Sequence, residues 1–363
     1  PGFKTTIQGK TTSWLVWFMF IGVVPSIAGM GGLAGAVAEA GNTMFPFLST
    51  EIWVAISCLL TWLLLYFGSY KSLERTLLIM VLFFSFMTMI IAIAMQSTEY
   101  QVNLNQISQG LSFSFPTEYL PLALAVFGFT GISYGEIMAY TYWCLEKGYA
   151  DNSGGDVEET KHWIKTMQTD VWVTVFFITL GTLPFFFLGA GVLNNVPELQ
   201  EALATGSFWD VDVISSLQNM FSLVLGGWAK WLFIILAFFV LFSTLLSGTA
   251  AFTRTISDYL ISMGLVKEKK DTRQSLIKLV AFVIPFLSGL FYFILPNPIT
   301  LLLIAGIWAA MGLPIVNIGA LYLVNKLDPA LQPKLSTKII LWVSLFLQLS
   351  LAVLIVYDIS LSF

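Results

Sequence analysis

The feature that most constrains this chain is a series of long apolar runs, each close to the length that crosses a lipid bilayer. A helix needs about 20 apolar residues to span the hydrocarbon core. We identify nine such runs: Trp14–Ala40, Ile52–Phe67, Leu73–Met95, Tyr119–Leu145, Val171–Leu193, Trp228–Ile261, Leu276–Leu295, Ile299–Val324 and Ile339–Ile359. The sequence therefore predicts an all-α, polytopic transmembrane helix bundle that forms one domain over residues 1–363.

Composition excludes most other classes of protein. Of the 363 residues, 57% are hydrophobic and 10% are charged, whereas soluble domains carry about 25% charged residues. Cys58 and Cys144 both lie in apolar runs and have no disulfide or metal-ligand spacing. The sequence contains no phosphate loop, nucleophile triad or HExxH motif. We therefore expect no enzyme activity, no cofactor and no nucleic-acid partner, and the bilayer is the expected surrounding.

Charge placement predicts the orientation of the spans. If the N-terminus is cytoplasmic, all but one of the 17 basic residues fall on the cytoplasmic side, and the exception is Lys230. Cytoplasmic loops of membrane proteins carry an excess of Lys and Arg. We therefore expect the N-terminus inside and the C-terminus outside, in a membrane most like the bacterial inner membrane. Residues 211–223 form a further expected helix, lying at the membrane interface.

The fourth run is unusual because it carries a glutamate. The segment 128–143, GFTGISYGEIMAYTYW, surrounds Glu136 with glycines and hydroxyl groups. A charge at the bilayer centre costs about 2.5–3.5 kcal/mol, so it normally faces a cavity or the bundle interior. Glycines weaken helices, and unwound backbone at membrane depth is tolerated where it lines a cavity. We predict a helix break that binds a cation through hard oxygen ligands, at Glu136, Gly135, Ser133 and Gly131. The alternative is a protonated Glu136 bonded to backbone, with glycines for packing.

Other polar residues within the spans are candidates for the lining of the same pathway. These candidates are Tyr134, Tyr140, Ser243, Ser247 and Asn317. For the two serines the alternative is a hydrogen bond to a carbonyl of their own helix. In the eighth run, Gly306, Gly312 and Pro314 predict a break, with a re-satisfied proline kink as the alternative. Arg254 and Asp258 have the i,i+4 spacing of an ion pair within one helix.

The run from Ser13 to the C-terminus resembles the Nramp family of divalent-metal transporters, in a divergent branch. The glycine-broken fourth run is similar to the sixth helix of that family. The segments FFVLFSTLLSGTAAFTRTISD (238–258) and WAAMGLPIVNIGALYLV (308–324) are similar to its eighth and tenth helices. The resemblance implies a LeuT-type fold of inverted repeats and transport of a cation. It also implies that the nine runs are the third to eleventh helices, so that the family's first two helices, which supply part of its metal site, are absent from this chain.

The chain departs from the family pattern at the metal site. Where the sixth helix of the family has Met-Pro-His, this sequence has Gly135, Glu136 and Ile137, and only the downstream Tyr140 matches. A carboxylate in place of a thioether favours harder cations such as Mg²⁺ or Mn²⁺. The sequence thus predicts a secondary transporter of divalent cations (Mn, Fe or Mg) by alternating access. The alternatives are a LeuT-fold transporter of amino acids or organic cations, and a membrane homologue that transports nothing.

Overall fold

The architecture is that of a computed structural model, which describes residues 4–7, 10–68, 70–112, 123, 126–128, 132–149, 151, 156–192, 194, 197, 201, 213–269 and 271–361. An antiparallel hairpin of β1 (Lys4–Ile7) and β2 (Lys10–Ser13) precedes the helices. The helices are α1 (Trp14–Ile21), α2 (Val23–Met44), α3 (Thr50–Phe67), α4 (Tyr70–Met95), α5 (Leu104–Gly110), α6 (Tyr134–Glu146), α7 (Val157–Gly191), α8 (Val213–Leu225), α9 (Ala229–Ser262), α10 (Thr272–Ile294), α11 (Pro298–Val324) and α12 (Leu335–Leu361).

Eight helical segments of the described part are long and apolar enough to cross a membrane. They correspond to eight of the nine predicted spans, and the all-α polytopic fold is confirmed. The predicted span Tyr119–Leu145 lies partly outside the described residues, and its second half is α6. The predicted span Val171–Leu193 is the apolar part of α7, which begins at Val157 because the Asp156 side chain caps its first turn.

The first predicted span consists of two helices rather than one. It divides at Gly22, between α1 and α2. Pro25 lies in the first turn of α2, where its missing N–H group is tolerated and where a continuous helix would lose a backbone hydrogen bond. Ser26 lies one turn after the division and donates its hydroxyl to the Gly22 carbonyl over 2.8 Å. A proline near the start of a span therefore marks a helix boundary here.

Helix α2 forms the centre of the bundle and packs against α3, α9, α10 and α11. Its small residues allow neighbouring backbones to approach closely. A Cβ atom added at Gly31 would lie 2.5 Å from the Ser288 carbonyl oxygen of α10, and one at Gly32 would lie 2.6 Å from the Pro298 carbonyl oxygen of α11. Small residues are typical of close helix contacts in membranes. The glycine-rich sequence of α2 is thus explained by packing.

The helix expected at residues 211–223 is present as α8, from Val213 to Leu225. Met220 and Phe221 are fully buried. The Phe221 ring lies 4.8 Å from Phe233 of α9 and 6.3 Å from Phe185 of α7, between ring centroids. Helix α8 is therefore docked onto the bundle through its apolar face.

Candidate functional site

The fourth span is interrupted immediately before α6. Residues 126–128 are helical, Ile132 and Ser133 are not, and a new helix begins at Tyr134. Gly128 lies where a Cβ atom would collide with the Gly306 carbonyl of α11, so this part of the chain requires glycine. The candidate ligand Gly131 lies outside the described residues. The interruption leaves the first N–H groups of α6 without helical partners.

Glu136 and Ser133 satisfy two of these groups through a capping box. The Ser133 side chain accepts a hydrogen bond from the Gly135 N–H at 3.3 Å. The Glu136 Oε2 atom accepts one from the Ser133 N–H at 2.8 Å and another from the Ser133 hydroxyl. This is the reciprocal arrangement expected for a Ser-x-x-Glu sequence at a helix start. The alternative interpretation of Glu136 predicted a hydrogen bond between its side chain and the backbone, and this bond is present.

The capping box leaves part of the Glu136 carboxyl group available. Both bonds involve Oε2, and Oε1 has no hydrogen-bond partner within the part of the chain that the structure describes. A carboxyl oxygen accepts such bonds, and the positive end of a helix dipole favours acidic side chains in the first turn of a helix. The side chain is exposed to a large cavity. Glu136 can thus cap α6 and bind a cation with the same group.

The cavity has a volume of about 2020 Å³ and is bordered by α2, the start of α3, α4, α6, α7, α9 and the start of α11. Three of the predicted residues line it, namely Glu136, Tyr140 and Ser243. Tyr140 donates its hydroxyl to the Met167 carbonyl of α7 over 3.2 Å, so its ring forms part of the wall. The Ser243 hydroxyl donates to the Val240 carbonyl over 2.8 Å. This is the hydrogen bond within one helix that we gave as the alternative for the two serines. Donating uses only the O–H hydrogen, so the Ser243 oxygen keeps its lone pairs for a ligand.

The other predicted pathway residues do not line this cavity. Tyr134 is buried, and its hydroxyl lies 3.3 Å from the Ser26 hydroxyl. Ser247 bonds to the Thr244 carbonyl of its own helix. Asn317 faces α12, where its amide nitrogen lies 3.2 Å from the Gln348 side-chain oxygen. Ser133 and Gly135 contribute to the site through the capping box, not through the cavity wall.

The predicted break in the eighth span is wrong. Helix α11 is continuous from Pro298 to Val324, with Pro314 inside it. Two of its glycines serve contacts with the fourth span: Gly306 meets Gly128, and a Cβ atom at Gly312 would lie 2.7 Å from the Tyr134 ring. These two glycines therefore lie where the fourth span crosses the helix.

The cavity also contains polar residues that the sequence did not single out as a site. Glu39, Asn42 and Thr43 border it from the last turns of α2. At the end where α4 and α7 begin, Glu74 and Asp170 line it. Because consecutive spans run in opposite directions, the three polar residues of α2 lie toward one end of the cavity. Glu74 and Asp170 lie toward the other end. In the sequence, the acidic residues among them lie near the ends of predicted spans, and this position could have indicated that they line the cavity.

The described residues contain no group of three or more His, Cys, Asp or Glu side chains placed to bind a metal ion together. The cavity wall also has no Met, Cys or His among the residues that the structure describes. The atoms of the wall that could bind a metal ion are carboxylate, hydroxyl, amide and backbone oxygens. Such donors suit hard cations, and Mg²⁺ in particular keeps several of its water molecules when it binds protein carboxylates.

Ion pairs hold the far end of α6 against its neighbours. The Glu146 carboxylate accepts two hydrogen bonds from Arg254 of α9, from Nε at 2.6 Å and from Nη2 at 3.1 Å. Lys147, just after α6, lies 3.3 Å from the Asp170 carboxylate of α7. Burial raises the pKa of the Tyr149 phenol, and its 2.6 Å hydrogen bond to Asp170 acts in the same direction. The phenol therefore remains a donor to Asp170 at neutral pH.

The expected pair of Arg254 with Asp258 is wrong. Arg254 binds Glu146, and Asp258 accepts a 2.9 Å hydrogen bond from Arg273 of α10. Both arginines also lie over aromatic rings of α6, Arg254 at 4.9 Å from the Trp143 ring and Arg273 at 5.8 Å from the Tyr142 ring. Arg254 and Asp258 thus each form an ion pair with another helix, and not with each other.

We expect the Glu146–Arg254 pair to contribute measurably to stability. The two side chains are 25% and 12% exposed, and the contact is bidentate. A double-mutant cycle with Glu146→Gln and Arg254→Gln, followed by thermal unfolding in detergent, should give a coupling energy of about 1–3 kcal/mol. The exposed pair Lys161–Glu158 is the control, with an expected coupling near zero. Equal coupling for the two pairs would contradict this prediction.

Comparison with known proteins identifies the class to which this fold and site belong. A family model described as natural resistance-associated macrophage protein-like (Nramp) matches residues 4–358. The chain therefore belongs to the Nramp family, whose members are membrane transporters of divalent metal ions. A search of curated proteins found no match.

Proposed function

We propose that this protein is a secondary transporter that moves a divalent cation through the central cavity by alternating access. The observation that carries the proposal is the position of Glu136. Its carboxylate lies at the interruption of a membrane span, at the start of α6, and one of its oxygens is available to the cavity. Ionisable residues within membrane spans mark substrate and ion pathways, and discontinuous helices form the substrate and ion sites of many transporters.

The substrate we propose is a hard cation, Mg²⁺ or Mn²⁺. Glu136 occupies the region where the family has a thioether ligand. The described cavity wall has no Met, Cys or His, so the metal ligands that it can supply are oxygen atoms. Lys147, which also lines it, pairs with Asp170. Oxygen ligands select Mg²⁺ and Mn²⁺, whereas thiolate and thioether ligands select softer metals. Glu39 lies toward one end of the cavity and Glu74 and Asp170 toward the other, so Glu136 is the carboxylate at the interruption. The volume of about 2020 Å³ also leaves room there for an ion that retains part of its hydration shell.

The orientation we propose places the α6–α7 connection in the cytoplasm of a bacterial cell. Lys147, Arg254 and Arg273 lie at the same end of the bundle, because they pair with acidic groups around the end of α6. This end carries the excess of basic residues that marks the cytoplasmic side.

The test of the substrate class is a ligand-dependent shift in thermal stability of the purified protein. A ligand present at about 100 times its Kd stabilises the folded state by roughly 2.7 kcal/mol. We expect Mg²⁺ and Mn²⁺ to raise the melting temperature, and Cd²⁺, a soft ion, to raise it less at the same concentration. Stabilisation by alanine or tetramethylammonium but not by the metals would support the amino-acid or organic-cation alternative. No shift with any ligand would support the homologue that transports nothing.

A further inference from the structure

A second, smaller cavity lies at the end of the bundle that carries the basic residues. Its volume is about 210 Å³, and it is bordered by the end of α3, the start of α4, α9 and the first turns of α10. It is separate from the central cavity, since the two share no lining residue. Two cationic side chains, Arg254 and Lys278, line it, and none of its lining residues in the described part of the chain is acidic.

Lys278 is the cation that this cavity leaves without a counter-charge. Its ammonium lies 5.6 Å from the centroid of the Tyr66 ring. Among the described residues, no carboxylate lies within 4.0 Å of it. Gln274 lies one turn earlier on α10 and borders the same cavity, so an amide donor accompanies the ammonium. A charged and a neutral donor thus face one small space.

Arg254 adds a further donor to the same space. A guanidinium group carries five N–H donors. Glu146 takes the Nε donor and one at Nη2, while the Ala250 carbonyl and the Thr253 hydroxyl accept from Nη1. One Nη2 hydrogen is left over from these contacts. Glu146 is not part of the cavity wall, so the wall itself remains cationic.

The rest of the cavity wall is apolar and continues into the surface that faces lipid. Leu64 and Ile277 line the cavity. Leu64 is 46% exposed, and Phe67, at the end of α3, is 75% exposed. Because α3 and α10 are both membrane-length helices, this exposed surface faces acyl chains. A ligand that fits must combine an anionic group with an apolar body.

We propose that this cavity binds the headgroup phosphate of an anionic phospholipid of the surrounding leaflet. Lys278 and Gln274 would bind the phosphate oxygens, with Arg254 behind them, and the glycerol and upper acyl chains would lie against Leu64 and Ile277. Basic pockets between membrane helices on the cytoplasmic side are suited to anionic headgroups. A free phosphate ion shares the charge of the headgroup but has nothing to place against the apolar wall, so the lipid is the better match.

The experiment is native mass spectrometry of the delipidated 363-residue protein with phosphatidylglycerol and, separately, with phosphatidylcholine. We expect phosphatidylglycerol to bind more tightly, and Lys278→Gln to weaken its binding about fivefold, since one basic residue near an anionic surface contributes about that factor. Gln274→Ala should weaken it less, because a neutral donor is about half as strong as a charged one. The matched control is Lys326→Gln, since Lys326 also lies over a tyrosine ring, 4.5 Å from the Tyr322 centroid, but outside the cavity.

Equal weakening by Lys278→Gln and Lys326→Gln would show general attraction to a basic surface and would overturn the proposal. Equal affinity of the wild type for the two lipids would overturn it as well. Millimolar inorganic phosphate is the third arm, and we expect it to displace no phosphatidylglycerol. Displacement by phosphate that Lys278→Gln abolishes would assign the cavity to a free anion instead of a lipid. Unchanged thermal unfolding of each variant in phosphatidylcholine shows that the variant is folded.

Discussion

Replacing Glu136 by Gln is expected to lower divalent-cation uptake into proteoliposomes by about tenfold or more. Glu136 is the carboxylate at the interruption before α6 that borders the central cavity. Two unit charges 4 Å apart interact by about 4 kcal/mol at the effective dielectric near a protein surface, and each 1.4 kcal/mol is a factor of ten in affinity. The amide keeps the size of the side chain and can still accept the bonds from Ser133.

The controls for this prediction separate loss of a ligand from loss of structure. Glu136→Asp retains the charge on a shorter chain and should retain part of the uptake. Glu51→Gln removes a carboxylate from the exposed first turn of α3, outside the cavity wall, and should leave uptake within about twofold. Thermal unfolding of Glu136→Gln should differ from wild type by no more than the loss of a helix cap, about 1 kcal/mol. Full uptake by Glu136→Gln would show that this carboxylate is no ligand of the transported ion.

A methyl group at Gly31 should destabilise the bundle by about 2 kcal/mol. An alanine Cβ there would lie 2.5 Å from the Ser288 carbonyl oxygen and 3.4 Å from the Tyr292 nitrogen, both backbone atoms of α10. Backbone atoms cannot move aside as a side chain can, so α2 and α10 must separate. Overpacking of this kind costs about 1–3 kcal/mol, which exceeds the roughly 1 kcal/mol that alanine gains over glycine in a helix.

The matched control for Gly31→Ala is Gly319→Ala. Gly319 also lies inside a membrane helix, α11, but a Cβ atom there would meet nothing within 4 Å. We expect Gly319→Ala to be neutral or slightly stabilising and Gly31→Ala to unfold at a lower temperature. Both variants can be compared by thermal unfolding in one detergent. Equal stability of the two variants would contradict the account of α2 as the close-packed centre of the bundle.

The sequence predicted the membrane helices well because hydropathy reports burial in lipid directly. The errors in the predicted helix boundaries came from features that hydropathy does not measure. The first half of α7 is polar, so the predicted span began at Val171 although the helix begins at Val157. The division between α1 and α2 follows from Pro25, which an average over apolar residues ignores.

The candidate site was predicted where chemistry was local and missed where it depended on distant partners. The helix interruption near Glu136 was predicted from the glycines. The Ser133–Glu136 capping box was not predicted, although the Ser-x-x-Glu spacing that indicates it is present in the sequence. Asn317 is polar at membrane depth, but its direction depends on α12, where Gln348 binds it. Arg254 has an acidic residue four positions later and yet binds Glu146, which is 108 residues away in sequence. Such partners are defined by packing between helices.

The most direct test of the central claim is Mg²⁺ or Mn²⁺ uptake by wild-type protein in proteoliposomes, compared with protein-free vesicles from the same lipids. We expect saturable uptake of both ions by the wild type, uptake lowered about tenfold or more in Glu136→Gln, and no uptake of alanine. Saturable uptake of alanine without any cation flux would contradict the proposed substrate class. Vesicles with folded protein that take up neither the ions nor alanine would contradict the claim that this cavity is a transport pathway.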